Sequence, residues 1–305
     1  MNARDARRIL SACLPDLPLR GVRRLGAGWD SDAFRVENGE ATPLVFRFPR
    51  RAPVAEALER ALRLLPELGP TLPAPVPRFT YVVRGCAAAP FPFAGYPLLP
   101  GRTLLGTRLS AAKLRRLSAD LGGFLAALHR FPAARAEALG IPPASVAGGR
   151  DQLAAFLARA TERVAPLLGE RDRERFGRWI ASLDRLEQFA FTPVLLHGDL
   201  YDDQILVDPA AGRLTGVIDF DDAARGDPAL DFAGLLRNLG EPFARETVLA
   251  YGADAAAVES IVRRAAVYVA IAPLHEILYG LEIGDERHTK EGLRELRDTL
   301  ASCNS

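Results

Sequence analysis

Apolar positions recur along this chain with two different periods. At the start, Ala3, Ile9, Leu10 and Leu14 fall at helical spacing and predict a short opening helix. The period then shortens. "GVRRLGAGWDSDAFRVE" reads as a strand, a glycine turn and a second strand beginning near Ala33, and "PLVFRFPRR" as a third strand stopped by Pro49. A helical pattern from Val54 to Leu68 follows, and "LPAPVPRFTYVV" returns to strand through proline-fixed extended backbone. "YPLLPGRTL" reads as a linker with prolines on both sides of its apolar pair.

From Ser110 onward the helical period dominates. Leu114, Leu117, Leu121, Phe124, Leu125 and Leu128 share one face behind Ser110 as N-cap. Amphipathic stretches run from about Arg150 to Leu168 and from Arg171 to Phe189, and helices resume after Pro228. Between them lie short apolar runs that end in acids. The expected fold is α+β and bilobal: a small sheet-bearing lobe over residues 1–97, a larger mainly helical lobe over 98–305, and a hinge near 96–101. Two lobes joined by a hinge favour a ligand site in the cleft between them.

Composition narrows the classes. Of 305 residues, 49% are hydrophobic and 25% charged, which is ordinary for a globular chain. Thirty-nine Lys and Arg against 38 Asp and Glu leave a net charge of +1, so no nucleic-acid partner is expected. Only Lys113 and Lys290 are lysines, so arginine can stand where a lysine would be looked for. Cys13, Cys86 and Cys303 are far apart, odd in number and without metal-site spacing, and fit a reducing interior with structural or incidental roles. No signal-peptide stretch and no run of 18 apolar residues is present, so the expectation is a cytoplasmic protein with no membrane partner, as a monomer or weak dimer.

Chemistry concentrates in two places. "LLHGDLYDDQILVDP" ends an apolar run in His-Gly-Asp, and "VIDFDDAARGDP" places a second acidic cluster at the end of another. "ILV" and "LTGVI" read as a hairpin around "DPAAGR", which brings Asp219, twenty residues after Asp199, beside the first cluster. Carboxylates held that close repel unless a cation or a proton intervenes. Acid and amide oxygens suit Mg²⁺, whose remaining positions fill with phosphate and water. Upstream, the glycine turn with Gly26, Gly28 and Ser31 can offer N–H groups to phosphate oxygens, and Arg47 alternates away from Phe46 and Phe48 toward the cleft. Glycine loop, strand cation, hinge and two acidic loops come in the order that phosphoryl transfer from a nucleotide requires.

"HGDL", "VIDFDDAARGDPALDFAGL", "VFRFPR", "LPAPVP", "FAGYPLLPG" and "EILYGLE" together resemble the aminoglycoside phosphotransferase family, small-molecule kinases with a protein-kinase-like fold. The likeness extends over nearly the whole chain and is nearest to the 2″ subgroup. It implies an antiparallel sheet in the small lobe, ATP or GTP as phosphate donor, and Mg²⁺. Asp199 matches the catalytic aspartate and Asp219 a metal ligand. Gln204 stands where Asn is usual, with Asp202 and Asp203 as other candidate ligands. Arg47 replaces a lysine. Its glutamate partner would fall at Ala61, with Glu59 an alternative. Backbone at Leu98, Leu99 and Gly101 would face the nucleotide base.

The acceptor side is less defined. Asp202, Asp222, Asp231, Glu276 and Glu282 would suit a polycationic aminoglycoside, and Glu276 resembles a substrate-side acid of the 2″ subgroup. Trp179, Phe232 and Tyr279 would suit a macrolide or another bulky natural product. A small metabolic alcohol and a catalytically silent nucleotide sensor are the other readings.

Overall fold

The computed structural model describes residues 1–27, 31–184 and 191–302. Helix α1 (Ala3–Cys13) opens on a capping box, in which the Asn2 side chain accepts from the Asp5 N–H and Asp5 answers to the Asn2 N–H. Strands β1 (Gly21–Ala27), β2 (Ser31–Glu37), β3 (Leu44–Pro49), β4 (Tyr81–Val83) and β5 (Phe93–Pro97) form one antiparallel sheet in the order β1-β2-β3-β5-β4.

Register sorts this sheet into two faces. Asp32 pairs with Phe48, Phe34 with Phe46, and Phe46 with Gly95. That face, with Phe93, packs on Ala6, Ile9 and Leu10 of α1 in a core of its own. Gly95 has no side chain because a Cβ there would sit 2.5 Å from the Phe46 ring. Strand alternation puts Ser31, Ala33, Val45, Arg47, Ala94 and Tyr96 on the opposite face.

Helix α2 (Ala52–Leu68) follows β3 and carries Pro53 in its first turn, where a missing N–H costs nothing. Its buried side at Ala61, Leu64, Leu65 and Leu68 joins the larger helical core. The two apolar cores therefore do not divide cleanly at residue 97: the end of α2 is built into the helical side. Polar ties reinforce this, with Arg63 Nε donating to the Leu139 carbonyl at 3.0 Å and Arg135 paired with Glu67.

The helical side comprises α3 (Ala111–His129), α4 (Ala133–Ala138), α5 (Arg150–Val164), α6 (Glu170–Asp184), α7 (Ala229–Leu239), α8 (Glu241–Ala250), α9 (Ala255–Ile283) and α10 (Glu286–Ser302). Ser110 occupies the N-cap of α3 without a side-chain bond. Helix α9 is long and apolar enough to cross a membrane, yet it packs against α5, α7, α8 and α10 and holds Arg264 buried inside. Short strands complete the unit: β6 (Arg102–Thr103), β8 (Ile205–Asp208) and β9 (Arg213–Val217) form one sheet, and β7 (Val194–Leu196) pairs with β10 (Ala224–Gly226).

The cysteines depart from expectation. Cys13 and Cys86 form a disulfide, with Cα atoms 5.7 Å apart, tying the end of α1 to the loop after β4. Spacing in the chain did not reveal it because 73 residues separate the partners and only the fold brings them together.

Candidate active site

The first acidic run ends β7 and turns sharply. Gly198 adopts φ 87°, and a Cβ there would lie 2.1 Å from the Asp222 carbonyl oxygen, so only glycine fits. Buried His197 bridges the two acidic loops. Its Nε2 donates to the Ile218 carbonyl at 2.9 Å, and its Nδ1 accepts from the Asp199 N–H at 3.3 Å. One imidazole thus fixes the backbone of Asp199 and the residue before Asp219. The hairpin adds a second tie, since the Ile218 N–H donates to the Gln204 carbonyl at 3.0 Å. Burial pushes the Asp199 carboxyl up to about 8, and the neighbouring Asp222, Asp219, Asp203 and Asp231 add to the rise.

Asp219 leaves β9 at φ 69°, the one described non-glycine residue in the left-handed region. The turn sets Asp219 and Asp221 on either side of buried Phe220, and both reach Arg47 on β3. Arg47 Nη1 lies 2.9 Å from Asp219, while its two Nη groups contact Asp221 at 3.1 and 2.9 Å as a fork. Glu59, the other partner weighed for Arg47, is bonded instead to Arg84 at 2.8 and 3.1 Å, and Ala61 is 1% exposed in the core. Burial raises the Asp221 carboxyl, and Arg47 opposes that rise. The sequence contained the signal for Asp221, two residues after Asp219 across an apolar position, but not its cross-sheet partner.

Ser31 shares the sheet face of Arg47. Its Oγ is buried with no hydrogen-bond partner among the described residues, a donor open to an acceptor from the cleft. Gly26 lies in β1 just past a register shift, paired with Ala33. Gly28 lies outside the described residues. At the hinge the Leu98 N–H donates to the Pro43 carbonyl at 2.8 Å, so it is not open to a nucleotide base as expected. Gly101 is also reassigned: at φ 95° it turns onto Thr215 and the Val207 carbonyl, where a Cβ would come within 2.2 and 2.7 Å. A Cβ at Gly216 would meet Leu99 Cδ1 at 3.2 Å, and the Leu99 N–H has no backbone partner among the described residues.

Asp231 is not on the acceptor side. It is 0% exposed and accepts from the His197 N–H at 2.8 Å, the Gly198 N–H at 2.9 Å and His129 Nε2 at 3.0 Å. Burial opposes its ionisation, but the bond from His129 and the Gly198 N–H hold it below the usual range. It is the buried support on which the His-Gly-Asp turn is mounted. Asp227, equally buried, accepts from Arg264 at 2.7 and 3.1 Å and from the Tyr268 hydroxyl at 3.0 Å, locking the start of α7 to α9.

The other acids remain near the surface. Asp202 accepts from Asn238 Nδ2 at 2.6 Å, Asp222 and Glu282 are exposed, and half-buried Glu276 meets His288 Nδ1 at 2.6 Å. Burial raises the Glu276 carboxyl, against the pull of His288. Trp179 and Phe232 are core residues, whereas the Tyr279 ring lies under the Arg51 guanidinium at 5.5 Å.

The donors fit a hard divalent cation. Asp219 supplies a carboxylate, and the half-buried Gln204 side chain has no hydrogen-bond partner among the described residues. A cation beside Asp219 would also draw the pKa of Asp199 back down.

The fold is that of a kinase-like phosphotransferase, and comparison with known proteins agrees on the family. Residues 21–267 match the Phosphotransferase enzyme family. The chain belongs to that family and is a small-molecule phosphotransferase. Among solved structures it is similar to the GDP complex of an aminoglycoside 2'-phosphotransferase-IIIa, at 28% identity and TM-score 0.87 over 99% of both chains. It is also similar to a macrolide 2'-phosphotransferase from Brachybacterium faecium, at 27% identity and TM-score 0.74 over 95% of this chain and 97% of that one. The viomycin phosphotransferase of Streptomyces vinaceus is 35% identical over 136 residues, 43% of this chain and 45% of that protein. The match thus spans less than half the length of that relative.

Proposed function

We propose that the chain transfers the γ-phosphate of ATP or GTP to a hydroxyl of an aminoglycoside. The observation that carries the reading is His197, which bonds the Asp199 loop and the Asp219 loop together below a sheet face bearing Arg47 and Ser31, whose Oγ has no partner among the described residues. Asp199 orients the acceptor hydroxyl and takes its proton as the oxygen attacks phosphorus. Arg47, permanently charged and forked, grips the α- and β-phosphates, while Ser31 and the Gly26 backbone steady the terminal ones. Asp219 and Gln204 would hold Mg²⁺, which supplies charge neutralisation on the transferring phosphate. Residues 1–97 and 98–305 act as the nucleotide and acceptor lobes, with the Leu99 backbone at the base.

Donor and acceptor class rest on two further supports. A structural relative is solved with GDP, and it is named for an aminoglycoside. Trp179 and Phe232 are buried in the core, which leaves carboxylates rather than those rings for the acceptor. Asp202 and Glu276 suit ammonium groups. The macrolide, small-alcohol and silent-sensor readings stay as outcomes of one experiment: protein, Mg²⁺, ATP or GTP, and a panel of aminoglycosides, macrolides and small alcohols, read by mass spectrometry for added phosphate. Asp199→Ala should lower the rate by about 10²–10⁴-fold while nucleotide binding persists. Nucleotide binding with no product from any acceptor would favour the silent sensor.

A further inference from the structure

Arg47 has no acid to lean on in α2. Ala61 is packed into the helical core, Glu59 is occupied by Arg84, and Glu56 is exposed. The end of α2 is itself fastened to the helical side through Leu64, Leu65, Leu68, Arg63 and Glu67. A helix pinned in that way cannot bring a carboxylate to the strand by swinging. Asp221 reaches Arg47 instead, from 174 residues away in sequence, as a two-point fork at 3.1 and 2.9 Å. Its own exposure is 9%, and the adjoining Phe220 is 2% exposed, with its ring 4.6 Å from that of His197. The carboxylate is therefore held on rigid backbone that His197 already ties to Asp199.

We infer that Asp221 is the positioning residue for Arg47. It does from the Asp219 loop what an acid on α2 would otherwise do, so that phosphate grip and metal-bearing loop move as one piece. This inference rests on the kinase reading above. Two acids facing one guanidinium explain how both tasks are met. Asp219 can turn its oxygens to another cation while Asp221 keeps Arg47 aimed. A bidentate pair constrains the guanidinium plane, which a single contact does not.

Calorimetric binding of Mg²⁺–ATP and Mg²⁺–GTP to the whole protein tests it, with wild type, Asp221→Asn, Asp221→Glu, Arg47→Ala, the Arg47→Ala/Asp221→Asn double variant and Glu59→Ala. Thermal unfolding of each variant identifies any that fails to fold. Asp221→Asn should weaken nucleotide binding about tenfold and raise nucleotide KM alike, with acceptor KM unchanged. Asp221→Glu should recover part of the loss, Glu59→Ala should change nothing, and the double variant should bind no worse than Arg47→Ala. Additive losses in the double variant, or unchanged binding by Asp221→Asn, would overturn the inference while leaving the kinase reading intact. A wild type that binds neither nucleotide would overturn both.

Discussion

Asp32 and Asp199 are both withdrawn from solvent, Asp32 almost wholly and Asp199 in part, yet their surroundings push them in opposite directions. Asp32 points to the phenylalanine face of the sheet, 1% exposed, among Arg24, Arg50 at 2.8 Å and the N-terminal ammonium at 3.0 Å. Burial works against its charge there, but Arg50, the ammonium and Arg24 hold the carboxyl well below the usual range. Asp199 has no ion-pair partner among the described residues and faces four other carboxylates. The first site is saturated and can only be structural. The second is a carboxylate cluster short of positive charge, so a cation bound beside it would lower the Asp199 pKa and free that carboxylate to take a proton from an acceptor.

The comparison can be broken at its stable end first. Asp32→Ala removes the carboxylate that Arg24, Arg50 and the N-terminal ammonium share and should cost about 2–3 kcal/mol of stability. Chemical denaturation with the midpoint and slope both fitted measures it. A loss below ~1 kcal/mol would mean that Asp32 is solvated and not the anchor described here.

Acidity sharpens the contrast next. The folded pKa of Asp199 is raised from 3.8 to about 8, so its contribution is fully present below pH 4 and is lost as pH climbs toward 8. Asp199→Asn should therefore gain stability over wild type across that window, on the order of a few kcal/mol at the top. For Asp32 the folded pKa is depressed, so its contribution is present above 3.8 and is lost as pH falls below it. The deficit of Asp32→Ala should shrink on acidification. Melting curves of the three proteins against pH decide it, and parallel curves for wild type and Asp199→Asn would count against the acid-rich site. The smallest effect is expected at Glu59, whose pair with Arg84 lies at the surface. Glu59→Ala should change stability by less than about 0.5 kcal/mol and leave turnover as it was.

How far these sites were legible differs residue by residue. Asp199 and Asp219 stand at the ends of apolar runs, and His-Gly-Asp is a local pattern, so both could be named from the chain alone. Strand alternation also placed Arg47 opposite Phe46 and Phe48. The partner of Arg47 could not be read, because helical spacing in α2 points to neighbours in α2 and carries no information about a loop 174 residues away. Asp231 was misplaced for the same reason. Its sequence setting at the start of a helix looks like any solvated acid, and only the packing of α7 beneath the His-Gly-Asp turn commits its oxygens to three donors.

By itself the sequence determined the elements, the sheet-then-helix order, the two acidic turns and the family, because these depend on short-range periodicity and contiguous motifs. Tertiary structure alone decided which carboxylates are neutralised and which are left to act. It paired Arg47 with Asp221, surrounded Asp32 with cations, buried Asp231 as a support and closed Cys13 on Cys86. Charge acts through space and through the local dielectric, and neither is set by distance along the chain.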